Sequence, residues 1–104
     1  MRLALDDDLR LARAVSEAAL TTEGVYALGT GRFAEAATYG PGEKVVGVVV
    51  NPNEVRVHII ARYPPPEPLS ALAERIRERV ALSAQGRAAM VIVEDVEVSP
   101  DANL

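Results

Sequence analysis

The fold is decided by residues 44–62, which read KVVGVVVNPNEVRVHIIAR. The valine-rich first part predicts a strand, and because its apolar residues fall on both faces, we expect cover on both sides over part of its length. Pro52 presets the backbone of a turn at 51–54. After the turn, apolar residues take every second position, which is typical of a half-buried strand. The stretch therefore predicts a β-hairpin whose second strand turns one apolar face to the core, formed by Val55, Val57, Ile59 and Ala61.

Two amphipathic helices flank this hairpin. Apolar residues at helical spacing predict the first helix over about residues 6–22 and the second over 69–80, where Pro68 suits the first turn. A final strand is expected over 89–98. Glu94 interrupts the alternation of that strand, so it lies either at an edge of the sheet or in a bulge. The stretch at 32–43 gives no clear secondary-structure signal.

These elements predict a single α+β domain over residues 1–98, followed by a flexible tail at 99–104. The expected order is helix, three strands, helix, strand (α-β-β-β-α-β). A three- to four-stranded mixed sheet with two helices packed on one face buries most of the apolar stripes. A chain of 104 residues is long enough to bury such a core without disulfides.

The composition excludes several classes of function. The chain has no cysteine, which excludes disulfides, thiolate nucleophiles and cysteine-ligated zinc. Its formal net charge of −4 works against binding to nucleic acid and to anionic lipid. No apolar run approaches the ~20 residues that span a bilayer, and residues 1–8 lack the apolar core of a secretory signal. We therefore expect a cytoplasmic protein that does not itself span a membrane.

The residues that could carry chemistry do not form a recognisable constellation. His58 is the only histidine and has no second histidine or nucleophile in a known motif, so a structural or surface role is expected. Glu94, Asp95 and Glu97 could suggest a cation site, but neighbours on a regular strand alternate, so only Asp95 and Glu97 would converge. The sequence predicts no catalytic, metal-binding or cofactor-binding residues, and no enzyme.

A basic patch is the main alternative to a protein-binding role. Arg75 and Arg79 lie one helical turn apart, and Arg87 follows the helix, which would suit a KH-like nucleic-acid-binding domain. Glu74 and Glu78 sit beside them, and the acidic net charge opposes such binding. A solvated helix face is the simpler interpretation.

A protein-interaction surface is the leading hypothesis. A valine strand and an unpaired sheet edge would favour pairing with another chain, so self-association is expected. The residues chosen for this surface are Val46, Val48, Val50, Arg75 and Arg79.

The order of motifs resembles the alkaline-shock-protein family of envelope-stress-response domains over about residues 9–98. An N-terminal helix runs into Gly24-Val25, and Gly47-Val48 lies in a strand before the turn. Residues 55–63, VRVHIIARY, precede a proline-led helix, and residues 91–96, VIVEDV, close the domain. The turn at 83–86 differs from the Met-Thr-Gly-like turn that the family usually has.

The resemblance implies a non-enzymatic scaffold linked to cell-envelope or alkaline stress homeostasis. Proteins of this family bind no cofactor, self-associate, and are held at the inner face of the membrane by an anchor protein. The resemblance thus implies a homo-oligomer in the cytoplasm, recruited to the membrane through a protein partner.

Overall fold

The structure, a computed structural model, describes residues 4–31 and 35–98. The predicted tail at 99–104 and residues 32–34, the beginning of the unclear stretch at 32–43, lie outside the described residues. In chain order the elements are α1 (Ala4–Leu20), β1 (Val25–Leu28), β2 (Ala37–Gly40), β3 (Glu43–Val46), β4 (Val48–Val50), β5 (Glu54–Tyr63), α2 (Leu69–Ala81) and β6 (Ala88–Val98). The predicted α+β class is confirmed.

Strand β5 is the centre of a four-stranded mixed sheet. Strands β1 and β4 pair antiparallel with one edge of β5, and β6 pairs parallel with its other edge along the whole length. Helix α2 connects β5 to β6, because parallel neighbours need a long crossover. The turn at 51–54 joins β4 to β5 as predicted, so the hairpin is confirmed.

Both helices pack on one face of this sheet, and their apolar side chains form a single core with those of the sheet. Periodicity selected the buried residues of β5 correctly, since Val55, Val57, Ile59 and Ala61 are all 0% exposed. Burial of one side chain of the size of Ile59 stabilises the fold by about 2–3 kcal/mol. The helices contribute residues at helical spacing to the same cluster: Leu11, Val15, Ala19, Leu72, Ile76 and Val80.

The valine-rich stretch differs from the single strand that the sequence predicted. Gly47 divides it into β3, which pairs with β2 in a separate two-stranded sheet, and β4, which belongs to the main sheet. The φ angle of Gly47 is +93°, and a Cβ there would lie 2.8 Å from the carbonyl oxygen of Gly29. Glycine is the residue that tolerates both conditions, so the chain changes sheets at this point. The expected cover on both faces over part of this stretch does not extend to β3, where Val46 is 37% exposed.

A bulge interrupts β6 at Glu94. Ile59 is paired with Val93 but Ile60 with Asp95, so Glu94 is an extra residue in the ladder. This confirms the bulge, and β6 is also an edge strand of the sheet. Because the bulge adds one residue, Val96 still packs on the core side.

No helix in the described part of the chain combines the length and apolarity needed to cross a membrane.

Candidate functional site

The face of β5 that points away from the helices carries the polar chemistry of the domain. Its residues are the even-numbered ones of the strand: Glu54, Arg56, His58, Ile60 and Arg62. We call this side of the sheet the open face. His58 stands at its centre and is only 9% exposed, although both described helices lie on the other face of the sheet.

The backbone of His58 is fixed where β1 and β4 meet. Its N–H donates a hydrogen bond of 2.8 Å to the carbonyl of Gly47, and its carbonyl accepts one of 2.7 Å from the N–H of Gly29. The two short strands thus continue each other along one edge of β5, with glycines at the seam. These main-chain bonds fix the backbone of His58 so that its side chain lies on the open face.

The imidazole of His58 is paired with the carboxylate of Glu94. The distance from Nδ1 to Oε2 is 2.7 Å, and the N–H of Gly31 donates to the same oxygen over 2.6 Å. The two side chains are 11% and 21% exposed. Glu94 counts as exposed as a whole residue because its backbone is uncovered at the bulge. Glu94 lies two residues after Ile92, the neighbour of His58 in the ladder, so its side chain shares the open face with the histidine.

The segment Gly29–Gly31 makes room for carboxylate groups. A Cβ on Gly29 would overlap the carboxylate of Glu94. Gly31 has a φ of +83°, and a Cβ there would lie 2.8 Å from the carboxyl carbon of Glu35. Two side chains with negative charge thus approach this loop, and larger residues in it would displace them.

The hydrogen bonds fix the tautomer of the neutral imidazole. Oε2 of Glu94 already accepts the N–H of Gly31, so it acts as an acceptor toward Nδ1 as well. Nδ1 of His58 therefore carries the proton, and in the neutral ring Nε2 keeps its lone pair. Within residues 4–31 and 35–98, Nε2 has no hydrogen-bond partner.

A pocket of about 370 Å³ opens beside this pair. Its lining comes from the connection before β2, from β5 and from β6, and it is partly open to solvent. Among the described residues, no three potential ligands are grouped so that they could hold a metal ion. The residues that line the pocket are Glu35, His58, Ile92 and Glu94. The pocket thus combines the hydrogen-bond acceptors of polar side chains with one apolar side chain, that of Ile92.

The sequence predicted a structural or surface role for His58 and did not predict its hydrogen bond with Glu94, which lies 36 positions further along the chain. The expectation that only Asp95 and Glu97 share a face is wrong. Glu94 follows Ile92 on the open face, and the bulge after it shifts the register so that Asp95 lies opposite Ile60 and Glu97 opposite Arg62 on the same face. Asp95 bonds locally, since its Oδ1 accepts the N–H of Val96 at 2.8 Å. The broken alternation at Glu94 marked this position but did not connect it with His58.

The valines chosen from the sequence do not share one surface. Val46 is exposed on β3, Val48 is completely buried in the core, and Val50 is partly buried against it. Side chains of opposite exposure on two different sheets cannot meet one partner together. Of the three, Val46 alone is exposed enough for contact.

The arginines chosen from the sequence lie in two places. Arg75 donates to Glu67 and to the carbonyl of Glu23, and Arg79 donates to the hydroxyl of Thr21. Both therefore meet the connection after α1. Arg87 instead donates through Nε to the carbonyl of Asn51 at the hairpin turn. The structure brings the first two together and leaves the third apart.

Comparison of the chain with protein-family models, curated proteins and solved structures gives no match. The resemblance to alkaline shock proteins therefore stays a prediction. Function has to be argued from the two features that the fold exposes, which are the edge of β6 and the pocket on the open face.

Proposed function

We propose that this protein is a non-enzymatic interaction module that associates with a second copy of itself through the edge of β6. The observation that carries this proposal is the free edge of β6 before the bulge. β6 has 11 residues and, within the described residues, pairs with β5 alone. An unpaired strand edge is a template for strand addition unless something blocks it.

The free backbone groups of β6 follow from the register. The N–H and carbonyl of His58 point toward β1 and β4, so those of Val57 point toward β6. In the parallel pair Val57 with Val91, the residues before and after Val91 bond to β5. The N–H of Ala88 donates to the carbonyl of Asn53 over 3.0 Å, which confirms that the even-numbered residues at the start of β6 point their backbone groups toward β5. The backbone groups that face away from β5 are therefore those of Ala89, Val91 and Val93.

The edge has a defined end. Beyond the bulge, the outward N–H is that of Val96, and the side chain of Asp95 already binds it. The segment that can accept another strand is therefore short and ends at the bulge. A limited edge of this kind favours a closed pair of copies over an open-ended array.

The charges along β6 favour an antiparallel second copy. Arg87 precedes the strand, whereas Glu94, Asp95 and Glu97 lie in its second half. An antiparallel arrangement centred on Val91 brings the basic end of each copy near the acidic end of the other. A parallel arrangement would place like charges side by side.

The resemblance to alkaline shock proteins supplies the cellular side of the proposal. In that setting the module acts as a cytoplasmic scaffold for cell-envelope or alkaline stress homeostasis, held at the inner face of the membrane by an anchor protein. It uses no cofactor. The KH-like alternative gains no support from the arginines, because Arg75 and Arg87 already bond within the fold and lie apart.

Light scattering coupled to size-exclusion chromatography, over a series of concentrations, tests the association. We expect a dimer for the wild type and a monomer for Val91→Pro, because proline removes an outward N–H and leaves the ladder to β5 intact. Val91→Thr is the matched control, since it keeps the shape and the N–H, and it should remain dimeric.

A second variant guards against misfolding of the proline variant. Met90 is 47% exposed on the open face, so Met90→Lys should preserve the fold and weaken pairing at the edge. A wild type that stays monomeric at the highest soluble concentration contradicts the proposal. So does a folded Val91→Pro protein that still dimerises.

A further inference from the structure

We propose that the pocket beside His58 and Glu94 binds the guanidinium group of an arginine side chain presented by a protein partner. This inference goes beyond the proposed self-association by naming the chemistry of a separate protein partner. It concerns the open face of the sheet and not the edge of β6, so the two can be tested separately.

The first argument is the state of the Glu94 carboxylate. Its Oε2 accepts two N–H groups, from Gly31 and from His58. Its Oε1 has no hydrogen-bond partner in the described part of the chain, and no lysine or arginine there contacts it. The carboxylate is thus held in place by main chain and imidazole, without a basic side chain of its own. A carboxylate held in this way and only 21% exposed is preorganised for a cation.

The second argument is the direction of the imidazole. Because Nδ1 donates to Glu94, the neutral ring presents the lone pair of Nε2. The pocket therefore offers two acceptors on different side chains, and a ligand has to bring donors. A guanidinium group carries several N–H donors in a rigid plane and can serve two acceptors at once. An ammonium group carries its three N–H donors on one nitrogen atom, so it serves two separated acceptors less well.

The third argument is the size and wall of the pocket. A volume of about 370 Å³ accommodates a guanidinium group with part of its aliphatic stem. Ile92 gives that stem an apolar surface to lie on. Glu35 adds negative charge to the wall, although the argument depends only on His58 and Glu94.

Within residues 4–31 and 35–98, the open-face residues Arg56 and Arg62 make no ion pair with Glu94. Arg56 points toward Glu54, with 3.6 Å between Nε and Oε1. Arg62 lies at the far end of β5, where the register pairs it with Glu97. The net charge of −4 further favours a basic partner at long range.

The single histidine makes the test direct, because its ring signals in an NMR spectrum need no assignment. The probe is N-acetyl-arginine amide, compared with the lysine and norleucine analogues. We expect a saturable shift of the Hε1 and Hδ2 signals of His58 with the arginine probe. The lysine probe should bind more weakly, and the norleucine probe at least about tenfold more weakly. Ring nitrogen shifts should report the Nδ1–H tautomer.

Two glutamine variants locate the binding site. Glu94→Gln removes the charge and keeps the shape, so affinity for the arginine probe should fall about tenfold or more. Glu97→Gln, on the same strand but outside the pocket lining, should leave it unchanged. The wild-type titrations alone remain decisive if Glu94→Gln does not fold.

Three results would overturn the inference. These are a His58 signal that does not respond to arginine, an equal response to norleucine, and an equal loss in the two glutamine variants. The Val91→Pro protein separates this inference from the proposed function. If it is monomeric and still binds the arginine probe, both stand. If the wild type never dimerises but binds the probe, the self-association fails and the pocket stands.

Discussion

Strand β5 presents two faces that were built in different ways. On the helix face, Val55, Val57, Ile59 and Ala61 are completely buried among apolar neighbours. On the open face, His58 is nearly as buried, but its cover is a carboxylate from β6 and a glycine-rich loop. The first face depends on many interchangeable contacts, whereas the second depends on a few directed ones. The helix face therefore supplies most of the stability of the domain, whereas the open face carries the polar groups that could bind a ligand.

The largest expected effect breaks the helix face. Ile59→Ala should lower the free energy of unfolding by about 3–4 kcal/mol, because it leaves a cavity in a closely packed core. Its neighbour on the open face, Ile60, is only partly buried, and Ile60→Ala should cost about 1 kcal/mol. Urea denaturation of the two variants checks this. Equal losses would mean that the open face is also a packed core.

The next effect breaks the seam between the two sheets. Gly47→Ala should cost about 3 kcal/mol, because it combines a positive φ with a Cβ that meets the backbone of Gly29. Gly42 is the matched control: its φ is +73° but a Cβ there would meet nothing within 4 Å. Gly42→Ala should therefore cost only about 1 kcal/mol. If the two variants had the same urea unfolding midpoint, the close approach of Gly47 to Gly29 would not be the reason that position 47 requires glycine.

A third change separates the open face from the helix face. Deletion of Glu94 takes out the bulge residue and restores a regular ladder, with Asp95 outside and Val96 still on the core. We expect the fold to persist, with a loss of about 1.5 kcal/mol in the free energy of unfolding, because His58 loses its hydrogen-bond partner. Circular dichroism during urea unfolding measures the stability, and the NMR ring signals of His58 report the loss of its partner. Deletion of Val93 is the control, because it removes a residue that packs against the core and should unfold the protein much more readily.

The smallest effect comes from the solvent-exposed side of α2. The hydrogen bonds that Arg77 donates to Glu74 lower the pKa of that carboxyl, and the same bonds raise the pKa of Arg77. Because the pKa of Glu74 is lower in the folded state, this pair stabilises the fold above the ordinary carboxyl range. The contribution is lost as the pH falls through the folded value.

Glu74→Gln should therefore leave the unfolding midpoint unchanged at neutral pH within error, since the pair is fully exposed and screened. The only expected effect of the substitution is that stability falls slightly less in acid for the variant than for the wild type. A large effect at neutral pH would show that an exposed helix pair matters as much as the His58 pair. Comparison with His58→Ala under the same conditions provides the scale.

The sequence predicted the elements whose signals are local. The alternation of 55–61, the turn around Pro52 and the stripe of Leu72, Ile76 and Val80 each gave the correct element and the correct buried face. The division at Gly47 was missed because a valine-rich run looks continuous unless the φ of its glycine is known. The surface chosen from the sequence failed at Val48, because counting valines does not reveal which sheet each one joins.

The candidate site shows the same limit at a longer range. The sequence marked Glu94 as a break in the pattern and marked His58 as unique, but it offered no reason to connect them. Their contact depends on the parallel register of β5 and β6, which is set by the helix that joins them and by the core beneath.

The amino-acid pattern by itself determined which residues enter the core, since burial of apolar side chains follows a short period that local sequence contains. The tertiary structure alone decided which polar groups meet. A one-residue shift of register in a ladder moves a side chain from one neighbour to another, and only the packed sheet determines the register. The edge of β6 and the pocket beside His58 are consequences of that register.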